Sequence, residues 1–183
     1  MRLVHPTEWS RGFPPLPPEW SVRLCLLDND VQSVQLSFID FLASRVRTDL
    51  SPSPGVDLLS HAELFHHAKV FVCAVRRVAR LAESLVAFRS TLPDTQADAI
   101  QLAWRKKAAF FAAYTDPRNA IEHIEEELAG RQRFVVMNLS EIGLHVTDDP
   151  SHTAPISEEV VKQSVALRNE LVSAICGRPP VGR

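Results

Sequence analysis

The stretch of sequence that decides the fold is ELFHHAKVFVCAVRRVARLAESLVAF, residues 63–88. Apolar side chains recur in it every three or four residues, which is the period of one face of an α-helix. Arg76, Arg77 and Arg80 fall between them on other faces. Leu92-Pro93 follows, and helices usually end before a proline. The pattern predicts a long helix over residues 60–91 that buries one face.

A first helix is predicted to end at Arg47 and to begin at Ser21 or at Asp28. Asp28-Asn29-Asp30 has the composition of a helix cap, so residues 22–27 either belong to the helix or form a short strand. The predicted apolar face comprises Val31, Val34, Leu36, Phe38, Ile39, Phe41, Leu42 and Val46. Residues 51–55, rich in proline and serine, are predicted to form a loop.

Two further helices are predicted at residues 95–114 and 157–175. In the first of them, Ile100, Leu102, Trp104, Ala108, Phe111 and Ala112 are expected to face inward. Ser157 is the expected N-cap of the last helix, with Glu158 and Glu159 favourable in its first turn. Gly177 is the expected stop of that helix.

Between these helices lies the run Arg118-Asn119-Ala120-Ile121-Glu122-His123. Asp116 can cap a helix and proline suits a first helical position, so a helix is predicted from Arg118 to Ala129. Asn119 and His123 are four residues apart and share one face. Pro117 is compatible either with a kink in one long helix or with a break between two.

The sequence changes character after residue 133. Residues 134–139 and 142–147 are rich in β-branched and other apolar side chains and flank Ser140-Glu141, which predicts a β-hairpin. Residues 148–155 are predicted to form a polar loop. The whole pattern indicates an all-α fold, an up-and-down bundle of four to five helices with a small β-hairpin before the last helix.

Residues 1–20 form a separate compositional zone because they contain five prolines and three large aromatic side chains. Proline density of this kind opposes a helix and favours an extended path. We predict a proline-rich N-terminal arm at residues 1–20, laid against a single helical domain at residues 21–183. A proline-rich ligand for a partner is the alternative.

The composition is that of an ordinary globular protein, with 45% hydrophobic residues and a net charge of −2. An RNA site would therefore have to be a local basic patch. Cys25, Cys73 and Cys176 show no paired spacing and are expected to be buried free thiols. We find no secretory signal and no apolar run long enough to span a membrane, so a cytoplasmic protein is expected.

The run from Arg118 to His123 resembles the Arg-polar-x-x-x-His motif of the HEPN superfamily, whose members are small helical domains. The following hairpin and final helix extend the likeness, over roughly residues 60–175, to uncharacterised bacterial HEPN-like proteins. Many HEPN proteins are metal-independent ribonucleases of toxin–antitoxin and defence systems. The resemblance implies a catalytic set of Arg118, Asn119 and His123, an RNA substrate, an antitoxin partner and a homodimer whose motif helices meet at a cleft.

The same residues also have a purely structural interpretation. Arg118 and Glu122 are an i, i+4 pair of opposite charge, and Glu126 and Glu127 follow His123 by one turn. On this interpretation the segment is a solvated amphipathic helix, and the protein is a non-catalytic dimerisation or interaction module.

Charged residues around the motif bear on both interpretations. Glu122, Glu125, Glu126 and Glu127 repel phosphate and favour a protonated His123, which suits an acid better than a base. The basic residues that could contact RNA are Arg105, Lys106, Lys107, Arg131 and Arg133. As an alternative, the run 105–107 is simply a solvated helix face.

Glu63 and His66 have the Glu-x-x-His spacing of di-iron bundles and are a candidate metal site. Such a site needs a second Glu-x-x-His on another helix, and no other histidine has a glutamate three residues before it. We therefore expect neither a metal nor a cofactor.

Overall fold

The computed structural model describes residues 16–49, 58–119, 121, 138–140, 143–145 and 153–177. These residues form an all-α bundle with a small antiparallel sheet before the last helix, as predicted. The helices are α1 (Pro18–Asp49), α2 (Leu58–Phe88), α3 (Asp94–Ala112), α4 (described over residues 115–119 and 121) and α5 (Glu158–Ile175). A 3-10 turn (Arg89–Thr91) follows α2, and the strands are β1 (Asn138–Ser140), β2 (Gly143–His145) and β3 (Thr153–Pro155).

Helix α1 begins earlier than either predicted start. Pro18 takes its first position, where a missing backbone N–H costs nothing, so the end of the proline-rich zone belongs to the helix. Residues 22–27 are helical, and Asp28 lies inside the helix rather than at its cap. The cap prediction was wrong because Asp28 is buried against another helix, which its sequence neighbours do not reveal.

Helices α1 and α2 pack as an antiparallel pair. Trp20, near the start of α1, is buried beside Phe88 at the end of α2, and its indole N–H donates to the Thr91 hydroxyl at 3.0 Å. Further along the pair, Phe38 lies 5.9 Å from Phe71 between ring centroids. Because early residues of one helix meet late residues of the other, the two run in opposite directions.

The predicted apolar face of α1 is only half buried. Val31, Val34, Phe38 and Phe41 lie in the core, whereas Leu36, Ile39, Leu42 and Val46 are exposed. On α3, Ile100 and Phe111 are buried as predicted, but Leu102 and Ala112 are exposed. The buried members of both helices form one core with α2 and α5.

Helices α3 and α5 form a second antiparallel pair. The Lys107 ammonium donates to the side-chain oxygen of Gln163 in the first half of α5. At the other end of the pair, a side chain at Gly177 would lie 3.0 Å from the amide nitrogen of Gln96. Gly177 has φ +63°, a conformation that glycine adopts freely, and it ends α5 as predicted. Ser157 occupies the predicted N-cap position, although its side chain makes no capping hydrogen bond.

The sheet has three strands in the order β1-β2-β3, all antiparallel. The described strands β1 and β2 form the predicted hairpin, with Leu139 opposite Leu144. The prediction of a loop throughout residues 148–155 was wrong, because Thr153–Pro155 pair with β2. Gly143 is required in β2, since a Cβ there would overlap the carbonyl oxygen of Ala154. A third strand supports a hairpin that would be marginal alone.

One ion pair is buried between the two helix pairs. Asp28 of α1 is 1% exposed, and it is the only charged residue among the buried residues that the structure describes. Its carboxylate lies 3.5 Å from Nε of Arg168 on α5, and it also accepts a hydrogen bond from Gln32 at 3.2 Å. The pair therefore ties α1 to α5 inside the bundle.

The cysteines are free thiols, but the expectation of burial was wrong for Cys25, which is exposed on α1. Cys73 and Cys176 are half-buried. Among the described residues, no helix combines the length and apolar character that crossing a bilayer requires.

Replacing Asp28 with alanine is expected to lower the free energy of unfolding by roughly 3 kcal/mol, because Arg168 loses its buried counter-charge. The matched control is Asp30→Ala, which breaks the 2.8 Å ion pair between Asp30 of α1 and the half-exposed Arg77 of α2. That control should cost less than about 1 kcal/mol. Urea unfolding of both variants measures the difference, and equal losses would contradict a structural role for the buried pair.

Candidate functional site

The described part of the motif lies at the start of α4. Helix α3 ends at Ala112, residues 113 and 114 form a turn, and the chain is helical again from residue 115. The break therefore precedes Thr115, whereas the sequence placed it at residues 115–117. Pro117 sits in the first turn of α4, where its missing N–H leaves no helical hydrogen bond unmade.

Tyr114 fixes this turn against the sheet. Its side chain is 1% exposed, and its hydroxyl donates a 2.7 Å hydrogen bond to the carbonyl oxygen of Pro155, the last residue of β3. The Tyr114 carbonyl in turn accepts from the backbone N–H of Arg118 at 3.4 Å. The start of α4 is thus tied through one residue to the segment that leads into α5.

Two other side chains orient the first turns of α4. Pro117 is buried, and Ile121, one turn later on the same face, packs against the core. Arg118 and Asn119 lie between them and are half-buried. Their helix positions direct these two polar side chains away from the face that Pro117 and Ile121 occupy.

Arg118 and Asn119 interact directly. Nη1 of Arg118 donates to Oδ1 of Asn119 at 3.2 Å. The carboxamide thereby restrains the guanidinium beside it. An arginine held in this way at a helix start can stabilise negative charge on a phosphate.

The remaining predicted catalytic residue, His123, lies outside the described residues, as do Glu122, the carboxylates at 125–127, Arg131 and Arg133. The roles assigned to these residues stay predictions from the sequence.

The basic run of α3 points in three directions, since successive helical residues are about 100° apart. Arg105 is exposed, Lys106 lies at the wall of a pocket facing α5, and Lys107 is half-buried and bonded to Gln163. The structure does not bring these three side chains together on one surface.

Residues of the Glu-x-x-His segment on α2 are engaged elsewhere or exposed. The Glu63 carboxylate accepts from Arg47 of α1 at 2.9 Å, and His66 is exposed. Within the described part of the chain, no three His, Cys, Asp or Glu side chains come close enough to hold a metal ion.

Tyr114 is the residue of this site that the sequence interpretation missed. The chain contains a single tyrosine, and it stands directly before Thr115-Asp116-Pro117. A lone tyrosine next to a helix break is a usable signal, because a buried phenol needs a hydrogen-bond partner and so fixes the chain at two points.

No family model matches this chain, and neither does any curated protein or solved structure.

Burial raises the pKa of the Tyr114 hydroxyl above its ordinary value of 10.0. Above about pH 10 the unfolded chain releases this proton and the folded chain retains it, so stability should fall by up to about 1.4 kcal/mol per pH unit. Below that pH the contribution of Tyr114 is constant. Urea unfolding between about pH 8 and pH 11 measures the slope.

Tyr114→Phe is the control for this slope, because it removes the only phenol and its hydrogen bond. The variant should be about 1 kcal/mol less stable at neutral pH and should lose less stability as the pH rises. Identical pH slopes in the two proteins would contradict the burial of the Tyr114 hydroxyl.

Proposed function

We propose that this protein is a metal-independent endoribonuclease of the HEPN type, with Arg118, Asn119 and His123 as its catalytic residues. The observation that supports the proposal is the hydrogen bond between Arg118 and Asn119 at the start of α4. An all-α bundle and the anchoring of α4 through Tyr114 are consistent with it.

The proposed reaction takes its nucleophile from the RNA. The 2′-hydroxyl attacks the adjacent phosphorus, the bond to the 5′-oxygen of the next nucleotide breaks, and the products carry a 2′,3′-cyclic phosphate and a 5′-hydroxyl. Arg118 stabilises the charge of the phosphorane, and Asn119 holds Arg118 in place. His123 transfers the proton, either from the attacking hydroxyl or to the leaving oxygen.

The carboxylates near His123 in the sequence favour its role as the acid. Glu122, Glu126 and Glu127 stabilise the imidazolium form, which can protonate the leaving oxygen. Their negative field also opposes phosphate binding, so a cation is needed beside the scissile phosphate. Arg118 is the residue we assign to that task.

The resemblance also supplies proposals about partners. A homodimer would place two motif helices at one cleft, and Arg131 and Arg133, which follow the motif in the sequence, are the proposed RNA contacts. An antitoxin partner and a role in stress or defence belong to the same proposal.

Arg118→Ala and His123→Ala are each expected to reduce RNA cleavage by about 10²–10⁴-fold, because each removes an interaction made in the transition state. For Arg118→Ala stability should change far less, since Arg118 is half-buried and its truncation empties no core position. Cleavage of a labelled RNA, with end-group analysis for the cyclic phosphate and an EDTA control, measures the effect.

Arg80→Ala and His61→Ala are the matched controls, since both residues are exposed on α2 and lie outside the proposed site. Both controls should cleave as the wild type does. Equal cleavage by wild type and His123→Ala would identify a contaminant and rule out the catalytic assignment.

A second candidate function is that of a dimerisation module without catalysis. The observation that favours it is a stripe on the second half of α1, made of Leu36, Ile39, Leu42 and Val46, each between 43% and 56% exposed. Large apolar side chains clustered on one surface usually mark an interaction site.

The proposed occupant of this stripe is a second copy of the chain. Ala43, beside the stripe, is also exposed. Together with three members of the stripe it gives intervals of three, four and three residues: Leu36, Ile39, Ala43 and Val46. That alternation is the spacing with which two like helices interlock their side chains. A small residue at position 43 would let the two backbones approach closely.

Ile39→Asp is expected to convert a dimer into a monomer, because the charge would be buried at the centre of the seam, the proposed contact between the α1 stripes of two copies. Val22→Asp is the matched control, since Val22 is also exposed on α1 but lies far from the stripe. Light scattering at micromolar concentration measures the mass. A wild-type monomer, or equal masses for the wild type and Ile39→Asp, would contradict the proposed seam.

A further inference from the structure

The exposed apolar side chains of this protein are concentrated on one helix. Of the seven large apolar side chains that are exposed in the described part of the chain, six lie on α1 and one, Leu102, lies on α3. The sides of α1 that face α2 and α5 are covered, since Phe38 is buried toward α2 and Asp28 toward α5. The exposed side chains therefore share the remaining side of α1, which has room for one further helix.

This side of α1 follows a seven-residue repeat over most of the helix. Its members are separated by alternating intervals of four and three residues: Cys25, Asn29, Gln32, Leu36, Ile39, Ala43 and Val46. All of them are exposed except Gln32, which is half-buried and donates to Asp28 at 3.2 Å. Such spacing keeps side chains on the line along which two helices coil around each other. We call this set the heptad face of α1.

The heptad face changes polarity along the helix. Residues 36–46 of the set are apolar, whereas Asn29 and Gln32 precede them with carboxamides. A parallel partner in register places each residue opposite its own copy, so that carboxamide meets carboxamide. An antiparallel partner of the same length places Asn29 opposite Ile39 of the second copy, and Gln32 opposite Leu36. A carboxamide buried against an apolar side chain lacks a hydrogen-bond partner, which is costly.

A charge beside the heptad face disfavours a shorter antiparallel contact. If two antiparallel copies covered only the apolar stripe, Leu36 would pair with Val46 and the two-fold axis would pass beside Asp40. Asp40 is exposed, so the two Asp40 carboxylates would then face each other across the axis. Like charges placed together weaken an association. In a parallel pair the two carboxylates lie on opposite sides of the contact instead.

We infer that α1 packs against α1 of a second copy in parallel and in register, along the heptad face from Cys25 to Val46. This inference rests on the second candidate function, the dimerisation module, and adds the orientation of the partner and the extension of the seam toward the N-terminus. The Asn29 carboxamides of the two copies hydrogen-bond to each other. A polar residue at one such position fixes the register of two coiled helices.

The longer contact leaves Val22→Asp usable as a control for Ile39→Asp. Val22 precedes the heptad face by three residues and lies at the end of the contact, next to solvent. An aspartate at position 22 stays hydrated there. An aspartate at position 39 is enclosed between the two helices and loses its water.

Cys25 reports the orientation, because a disulfide requires two Cα atoms within about 7 Å. In the parallel pair the two Cys25 residues lie opposite each other. In the antiparallel pair of the same length Cys25 lies opposite Ala43, and the two Cys25 residues are about 27 Å apart along the axis. Oxidation of the full-length wild type with copper phenanthroline, at a concentration where light scattering shows a dimer, should therefore give a disulfide-linked dimer.

Two variants control for random collision of thiols. Cys25→Ser leaves only Cys73 and Cys176, which are half-buried, and should not form the linked dimer. Cys25→Ser with Ala62→Cys moves the thiol to an exposed position on α2, outside the heptad face. This variant should link at least about tenfold more slowly than the wild type, because its thiols meet only at bulk concentration. Ile39→Asp should slow the linkage of Cys25 to a similar degree.

A mixture of two proteins separates the two orientations directly. The wild type is mixed with Cys25→Ser/Ala43→Cys, oxidised and digested, and the linked peptides are identified by mass spectrometry. The parallel pair should give peptides linked between the two copies of position 25 and between the two copies of position 43. The antiparallel pair should give peptides that link position 25 to position 43.

The outcomes distinguish this inference from the function on which it rests. A wild-type monomer in light scattering overturns both the dimerisation module and the parallel register. A wild-type dimer that links at neither position 25 nor position 43 overturns the parallel register alone, and so does a dimer whose linked peptides join position 25 to position 43. In those two cases the dimerisation module stands with a different orientation.

Discussion

The buried pair of Asp28 and Arg168 is the interaction on which the arrangement of the bundle depends. Moving two charges out of water costs several kcal/mol, and only a close counter-charge offsets that cost. Asp28 lies in α1 and is 1% exposed. Helix α5 must therefore take one position along its axis and one rotation about that axis to place Arg168 beside Asp28. Apolar contacts alone tolerate some sliding of helices, whereas a buried charge without its partner is strongly disfavoured. The pair therefore sets how the α3–α5 pair sits on the α1–α2 pair.

The start of α4, the pocket between α3 and α5 and the apolar stripe of α1 depend on this arrangement in different ways. Helix α5 carries one wall of the pocket and follows β3, whose last residue receives the hydrogen bond from Tyr114. Tyr114 in turn ends the turn that precedes α4, the helix that carries Arg118 and Asn119. A change in the position of α5 would consequently alter both the pocket and the start of α4. The apolar stripe of α1, by contrast, lies on a helix that keeps its place through contacts with α2.

Several features followed from local sequence and several did not. Periodicity located α2, α3 and α5 to within a few residues, and Gly177 ended α5 as its residue type predicts. The prediction of a cap at Asp28 was wrong. Aspartate favours caps, but Asp28 is paired with Arg168, which lies 140 residues further along the chain, and no local pattern indicates that pairing. The prediction of a loop at residues 153–155 was wrong because these residues pair with β2, which lies outside the segment itself. The stripe of α1 looked like core because periodicity reports an apolar face and does not say what covers it.

The sequence by itself determined that the chain is helical, where most helices begin and end, and which residues could carry chemistry. These properties depend on spacing, capping and proline, which act over a few residues. Only the tertiary structure decided that Arg118 is held by Asn119 beside an anchored Tyr114, and that Lys106, Glu170 and Ser173 line one pocket. The grouping of the pocket residues comes from the antiparallel approach of α3 and α5. Residues about 65 positions apart become neighbours there, and a short-range sequence pattern cannot predict which residues will meet.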